Sequence, residues 1–308
     1  MTTPLRLRIG EHVEAALNGG APVVALESTV LTHGLPRPLN LDAGRRLQDV
    51  VREAGAVPAT IGVLRGQVVV GLSESELAEL SEARDADKAS LWNLAAVVAR
   101  GGSAGTTVAT TLWAAHGAGI AVFATGGIGG VHDVPFDESA DLSALARYPL
   151  ITVCAGPKSI LDASATLERL ETAGVPVVGF RSSRLAGFLV SLTDLELPAR
   201  VDTPAQAAAV LRTQLELGLS SGVVLSNPVS NGMTLEEFGS LRARAEVELA
   251  QRGIRGREST PFLLAELATL SEGATVEVNT RLLEENARLA AQVAAAYARV
   301  SPLVGAPS

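Results

Sequence analysis

Apolar, β-branched runs of strand length recur down this chain, and most are followed by a segment whose apolar residues return every three or four positions. Residues 22–26, 59–64, 120–124, 150–154, 175–178 and 223–225 read as buried strands. Helices are expected over residues 40–54, from the glycine-rich turn at 101–105 to near His116, over 157–173, behind the Thr203-Pro204 cap, and at 235–251, 261–270 and 276–300. Parallel strands require long crossovers, usually helical, so this alternation implies a three-layer α/β/α sandwich around a mixed, largely parallel sheet. Residues 68–70 read as a hairpin partner across Arg65-Gly66, and Ser73 with Glu76 forms a capping box for a helix running to Arg84. Aromatic residues are 3% of the chain and hydrophobic residues 47%, so the core must be built from Ala, Val, Leu and Ile. No repeat, low-complexity tract or linker divides the 308 residues, which read as one domain with about eight residues frayed at each end.

A formal charge of -8 opposes a nucleic-acid or membrane surface, because phosphates select basic faces, and points to a small-molecule partner. The single cysteine, Cys154, excludes an internal disulfide, suits a reducing cytoplasm and is read as packing in an apolar strand. No apolar run approaches a membrane span, and the N-terminus lacks a secretory pattern.

Of the 25 basic residues 23 are arginine and two are lysine, Lys88 and Lys158. Where this chain needs only a positive charge it takes arginine. A lysine amine can lose its proton and form a Schiff base with a carbonyl-type carbon, which a guanidinium with pKa above about 12 cannot do. Lys158 is therefore the first candidate for a covalent nucleophile, against the alternative of two chance surface lysines in a biased composition. It follows the strand at 150–154 and the Ala155-Gly156 turn, and Pro157 suits a first helical turn. That reading puts Lys158 beside the positive end of a helix dipole, which favours a neutral amine, at the sheet edge where open α/β folds bind ligands.

Glu27 ends the first buried strand, where a carboxylate is costly unless it faces a site or a partner, and a raised pKa there suits a general acid. Asp137 and Asp141 stand four apart in FDESADL; Asp141 could cap a helix beginning at Leu142, or the pair could hold a divalent metal through hard oxygen ligands. The turn at 101–107 lacks the lysine of a Walker loop, but its amides and the Thr106 and Thr107 hydroxyls would favour a phosphate at a helix N-terminus; the alternative is an ordinary glycine turn. Gly127 and Gly129 follow a strand, yet a dinucleotide fingerprint needs a third glycine where His132 stands. His12, His33, His116 and His132 are scattered, and no HExxH or paired-cysteine motif is present, so a zinc site is not expected.

Taken in order, VVALESTVLTHG, AVPATIGVL, GTTVATT, VFATGGIGGVH, SADL, VCAGPKSILD, STPFLL and the segment from Asn279 to Asn286 resemble the pseudouridine-5'-phosphate glycosidases, the indigoidine-synthase-A-like family, from about residue 20 to residue 298. The resemblance implies a manganese-dependent homotrimeric C-glycosidase of α/β/α fold that reversibly converts pseudouridine 5'-phosphate and water into uracil and ribose 5-phosphate. It also implies Lys158 as the Schiff-base nucleophile, Glu27 as the proton donor and Asp137 as the metal-linked aspartate. Ser139, Ala140 and Asp141 match its substrate-binding segment, Lys88 its ribose-phosphate-side lysine, Thr107 and Val108 a substrate-contacting stretch, and Asn279 an active-site asparagine.

This chain departs from the family pattern at several places. A shorter Asp133-Val134-Pro135 follows GGIGGVH, Glu138 replaces an isoleucine, Leu91-Trp92-Asn93 replaces Arg-Arg-Asp, Ala186-Gly187-Phe188-Leu189 replaces a Pro-Ala-Phe-aromatic segment, and Ser230 replaces a proline. These changes leave two alternative readings, the same Schiff-base chemistry on another C-nucleoside or sugar phosphate and a catalytically silent small-molecule-binding homologue.

Overall fold

A computed structural model describes residues 7–34, 37–132, 134, 136–254 and 259–299. Its strands are β1 Leu7–Ile9, β2 Val23–Leu26, β3 Val57–Leu64, β4 Gln67–Val70, β5 Asp87–Ala89, β6 Ala104–Thr106, β7 Val122–Ala124, β8 Ile151–Cys154, β9 Val177–Phe180, β10 Ala199–Val201 and β11 Val223–Ser226. The helices are α1 Glu11–Asn18, α2 Leu39–Glu53, α3 Glu74–Glu82, α4 Leu94–Ala99, α5 Val108–Gly117, α6 Ala140–Arg147, α7 Ala163–Thr172, α8 Pro204–Glu216, α9 Leu235–Gln251, α10 Ser259–Leu270 and α11 Ala274–Arg299. One sheet runs β1-β4-β3-β2-β7-β8-β11-β9-β10, with β6 paired to β3 and β5 to β6. Among the described strands, only β4 and β6 run antiparallel to their neighbour β3. The sandwich is thus the mixed, largely parallel one that the alternation implies.

Side chains alternate across a strand, and the core divides accordingly. Val23 and Ala25 of β2 join Phe123 and Cys154 on one face, packed by α1, α5, α6 and α7 through residues such as Val13, Leu112, Leu145 and Leu170. Val24 and Leu26 join Val122, Ile151 and Val153 on the other, covered by α2, α8 and α11 through Val50, Leu211 and Ala290. Each such Val or Leu contributes about 1.5–3 kcal/mol of burial. Cys154 is wholly buried, and burial pushes its thiol up to about 12, which fits packing and not catalysis.

The β3–β4 hairpin turns through Arg65 and Gly66 at φ 49° and 76°, the left-handed pair a two-residue turn requires. The Ser73–Glu76 box caps α3, and Thr203 caps α8 with Pro204 behind it. Two expectations change. Leu7–Ile9 pairs with Val68–Val70 and packs on the core, so fraying does not reach residue 8; the C-terminal tail lies outside the described residues. The helix expected from Pro157 begins only at Ala163, capped by Asp162. Amides of the intervening stretch bond sideways, Lys158 N–H to the Ile128 carbonyl at 3.1 Å and Asp162 N–H to that of Val131 at 3.0 Å, so they do not start a helix.

Candidate functional site

The carboxyl ends of β2, β7 and β8 lie side by side, and each leads into a loop that carries a candidate group. Glu27 follows β2. Its two carboxylate oxygens accept hydroxyl hydrogen bonds, from Thr29 on one side and from Thr125, just after β7, on the other. Ser28 is fully buried and donates to the Ile61 carbonyl at 2.6 Å while accepting the Thr106 amide at 2.9 Å, which fixes the backbone next to the acid.

Lys158 is half-buried in the loop after β8, not in a helical turn, so the dipole argument for a neutral amine does not apply to it. Its loop is pinned instead. Gly156 has φ +84°, and a β-carbon there would overlap the Ala186 carbonyl. The Ser159 hydroxyl donates to the Gly187 carbonyl at 2.7 Å and accepts the Leu189 amide at 3.0 Å. The family-variable segment 186–189 therefore holds the lysine loop.

Lys88 projects from β5, whose end is braced by Asn93 donating to the Lys88 carbonyl at 3.2 Å. Lys88 is exposed by surface area, yet its pKa is pushed below the ordinary lysine value. Desolvation is the main cause and the Lys158 charge the second, while Glu27 and Asp141 pull the other way. His33, on the exposed side of the π-helical turn Val30–Gly34, is held below its usual value by partial desolvation and then by the Lys88 charge. Both lysines, Glu27 and Asp141 thus share one electrostatic neighbourhood. Among the described residues neither lysine has an ion-pair partner, whereas arginines supply the surface bridges.

Asp141 is buried at 6% exposure and does not cap its own helix. Ser139 caps α6, and the Asp141 oxygens accept the Ala109 amide at 3.0 Å and the Gly129 amide at 2.8 Å. Ala109 lies in the first turn of α5, so a carboxylate already sits where the helix dipole favours an anion. Of the two hydroxyls expected to meet a phosphate, that of Thr106 is spent, fully buried and donating to the Ile61 carbonyl at 2.7 Å, whereas Thr107 caps α5 by accepting the Thr110 amide and keeps its hydrogen to donate. Val108 begins that helix and is buried. Ala140 opens α6 beside Ser139 and is partly buried.

The glycines of GGIGG serve close approach. A β-carbon on Gly127 would stand 2.6 Å from the Phe188 ring, and one on Gly130 would overlap the Thr166 hydroxyl. Asp137 lies between these glycines and α6, partly buried, with its carbonyl accepting the His132 amide at 2.9 Å. Its neighbour Glu138 pairs with Arg169 of α7 at 2.9 Å, and Asp133 and Pro135 lie outside the described residues. No group of three or more His, Cys, Asp or Glu converges on a metal-sized space among the described residues. Asn279 sits on α11 one turn before Leu282 and Leu283, whose side chains lie against Gly126, and makes no side-chain hydrogen bond among the described residues.

Sequence reasoning missed Thr125, Thr29, His33 and Asn286 as individual residues. Asn286 had a signal: it falls in the buried stripe of α11 with Val278, Leu282 and Val293, a polar residue where an apolar one is expected.

The family model for indigoidine synthase A like protein matches residues 12–296. The chain belongs to that family. A pseudouridine-5'-phosphate glycosidase of Thermus thermophilus is 57% identical over 90% of this chain and 98% of that protein, and one of Salinispora tropica is 50% identical over 96% and 93%. Among solved structures, the prealnumycin C-glycosynthase AlnA in complex with ribulose 5-phosphate superposes with a TM-score of 0.89 at 35% identity, over 96% of this chain and 97% of that one. An indigoidine synthase A-like protein from Thermotoga maritima gives 0.88 at 34% identity, over 97% and 99%.

Proposed function

We propose that this chain is a pseudouridine-5'-phosphate glycosidase that cleaves the C–C glycosidic bond to give uracil and ribose 5-phosphate. The observation that carries this reading is that Glu27 and Lys158 follow β2 and β8 at the same edge of the sheet, while Lys88 of β5 interacts electrostatically with both of them and with Asp141 of α6. It is supported by relatives of that name at 57% and 50% identity over nearly the whole chain.

A C–C bond offers no leaving oxygen to protonate, so the paired-carboxylate route of ordinary glycosidases does not serve. The Lys158 amine instead attacks C1′, and the ring oxygen leaves with a proton. Glu27 delivers a proton to C5 of uracil. The C1′–C5 electron pair then restores the C5=C6 double bond, and the nitrogen lone pair becomes the C=N bond to C1′. Water adds to that carbon and returns the amine, and the freed aldehyde closes to ribose 5-phosphate. Lys88 holds the ribose phosphate, with Thr107, Val108, Ser139, Ala140, Asp141 and Asn279 shaping the rest of the substrate site.

A manganese ion would be held here by the Asp137 carboxylate, a hard oxygen ligand of the kind such an ion takes. When bound, such an ion supplies positive charge next to the substrate. A homotrimer in the cytoplasm belongs to the same reading. The decisive experiment is incubation with pseudouridine 5'-phosphate and manganese, following uracil release; no uracil above background defeats the proposal. A Schiff-base enzyme acting on another C-linked sugar phosphate is then favoured, in line with the C-glycosynthase among its structural relatives.

A further inference from the structure

Asn286 is fully buried on α11, yet every polar atom of its side chain is used at the strand ends. Its amide nitrogen donates to the Thr125 carbonyl at 2.9 Å and to the Gly126 carbonyl at 3.2 Å. Its oxygen accepts from the Asn227 amide group at 3.0 Å. Two carbonyls on one side require the NH2 there, so the orientation of the amide follows from its partners. Asn227 closes the arrangement, because its backbone amide bonds the Cys154 carbonyl at the end of β8 at 2.8 Å.

Thr125 is the link to the chemistry. It is 2% exposed, its backbone amide is held by the Val153 carbonyl at 3.1 Å, and its hydroxyl donates to the Glu27 carboxylate. Gly126 is the second link: its carbonyl also accepts the Ala155 amide at 2.8 Å, where the chain enters the Lys158 loop. We propose that Asn286 is a positioning residue that aims the Glu27 carboxylate through Thr125 and sets it against the Lys158 loop through Gly126.

A core role alone accounts poorly for this arrangement. The helical stripe around Asn286 is built from Val278, Leu282, Leu289 and Val293, and an apolar residue there would complete it without burying an amide. The amide is instead spent on the Thr125 and Gly126 carbonyls of the loop after β7, the strand that lies between β2, which leads to the acid, and β8, which leads to the nucleophile. Because Asn286 is fully buried and Thr125 is 2% exposed, water is not at hand to replace the bonds that a rotation of Thr125 would break.

The inference rests on Glu27 as proton donor, and its test has one arm that needs no turnover. Thr125→Val keeps the shape and removes the hydroxyl, Thr125→Ser keeps the hydroxyl, and Asn286→Leu removes the clamp. The Glu27 side-chain 13C carboxyl resonance, assigned by its loss in Glu27→Gln, should move at fixed pH in Thr125→Val and Asn286→Leu and stay near its place in Thr125→Ser. In steady state, Thr125→Val should lower kcat roughly tenfold or more with KM within about twofold, Thr125→Ser should recover most of it, and Thr125→Val added to Glu27→Gln should cost nothing further. If Asn286→Leu does not fold, the Thr125 pair still decides. An unmoved carboxyl resonance with wild-type kcat in Thr125→Val overturns the proposal. So does an Asn286→Leu enzyme that loses only thermal stability. A wild-type enzyme that releases no uracil would instead sink the glycosidase reading, with the resonance arm still deciding the relay.

Discussion

The Gly129 amide donates to Asp141 at 2.8 Å, and the α-carbon of the glycine faces the same carboxylate: a β-carbon there would stand 2.7 Å from the oxygen that accepts the bond. It would also overlap the Ser139 hydroxyl and lie 2.6 Å from the Ser139 β-carbon. Both residues belong to the segment proposed to bind substrate. Gly129→Ala should therefore displace Ser139 and Asp141 together, at a stability cost of about 1–3 kcal/mol, the scale of overpacking. Activity should fall by about a hundredfold, as expected when a substrate-binding element shifts by an ångström. Thermal melting beside kcat/KM measures both, and near-normal activity would show that the Gly129 contact does not shape the site.

Lys158 lies in a loop pinned on both sides, by Ile128 and by Ser159 through Gly187, so its replacement should leave the fold intact. Lys158→Arg should abolish turnover, because a permanently charged guanidinium cannot attack C1′. Borohydride added to wild type during turnover should fix a ribose-phosphate adduct on the peptide carrying Lys158. An active enzyme without that adduct, or an active Lys158→Arg protein, would remove the covalent mechanism.

The lowered pKa of Lys88 has a sign that can be checked. The native state disfavours the charged amine, chiefly through desolvation, so the unfolded chain binds the proton more tightly between the lowered value and the ordinary 10.5. Stability from this group therefore rises with pH through that window, and the penalty is full below it. Lys88→Met should raise the melting temperature at neutral pH, with the gain shrinking as pH climbs toward the ordinary lysine value. The same variant should raise KM about tenfold or more, the scale of a lost charge-assisted hydrogen bond to phosphate. A variant that melts lower than wild type at neutral pH would contradict the desolvation account.

What the sequence made legible follows from physics that is local. Periodicity located β2, β3, β8 and β11 within about two residues because each is buried on both faces, and caps at Ser73 and Thr203 marked helix starts because their partners lie three residues away. Lys158 stood out by scarcity of its type. The start of α7 was not legible, because Lys158 and Asp162 spend their amides on Ile128 and Val131, about 30 residues earlier in the chain. Asp141 illustrates the same limit. Four residues of spacing suggested a cap or a metal pair, whereas its partners are the amides of Ala109 and Gly129, which only the fold brings near. Asn286 hid in an apolar stripe for the same reason.

Asp137 and Asp141 are now separable, because one is engaged by backbone amides and the other is not. Asp141→Asn would turn an amide donor toward the Ala109 or the Gly129 N–H and leave a buried donor unpaired. That should cost about 1–3 kcal/mol in stability and reduce activity whether or not metal is added. Asp137→Asn leaves its backbone bonds in place and removes only ligand charge, so its melting temperature should stay near wild type. Its activation by manganese should weaken at least tenfold, and excess manganese should restore part of the rate. Direct binding of manganese, followed by electron paramagnetic resonance of the free ion, distinguishes the two: Asp137→Asn should lose affinity, and Asp141→Asn should lose stability first. If Asp137→Asn binds manganese as wild type does, Asp137 is not the ligand, and the metal belongs elsewhere or has no part in this enzyme.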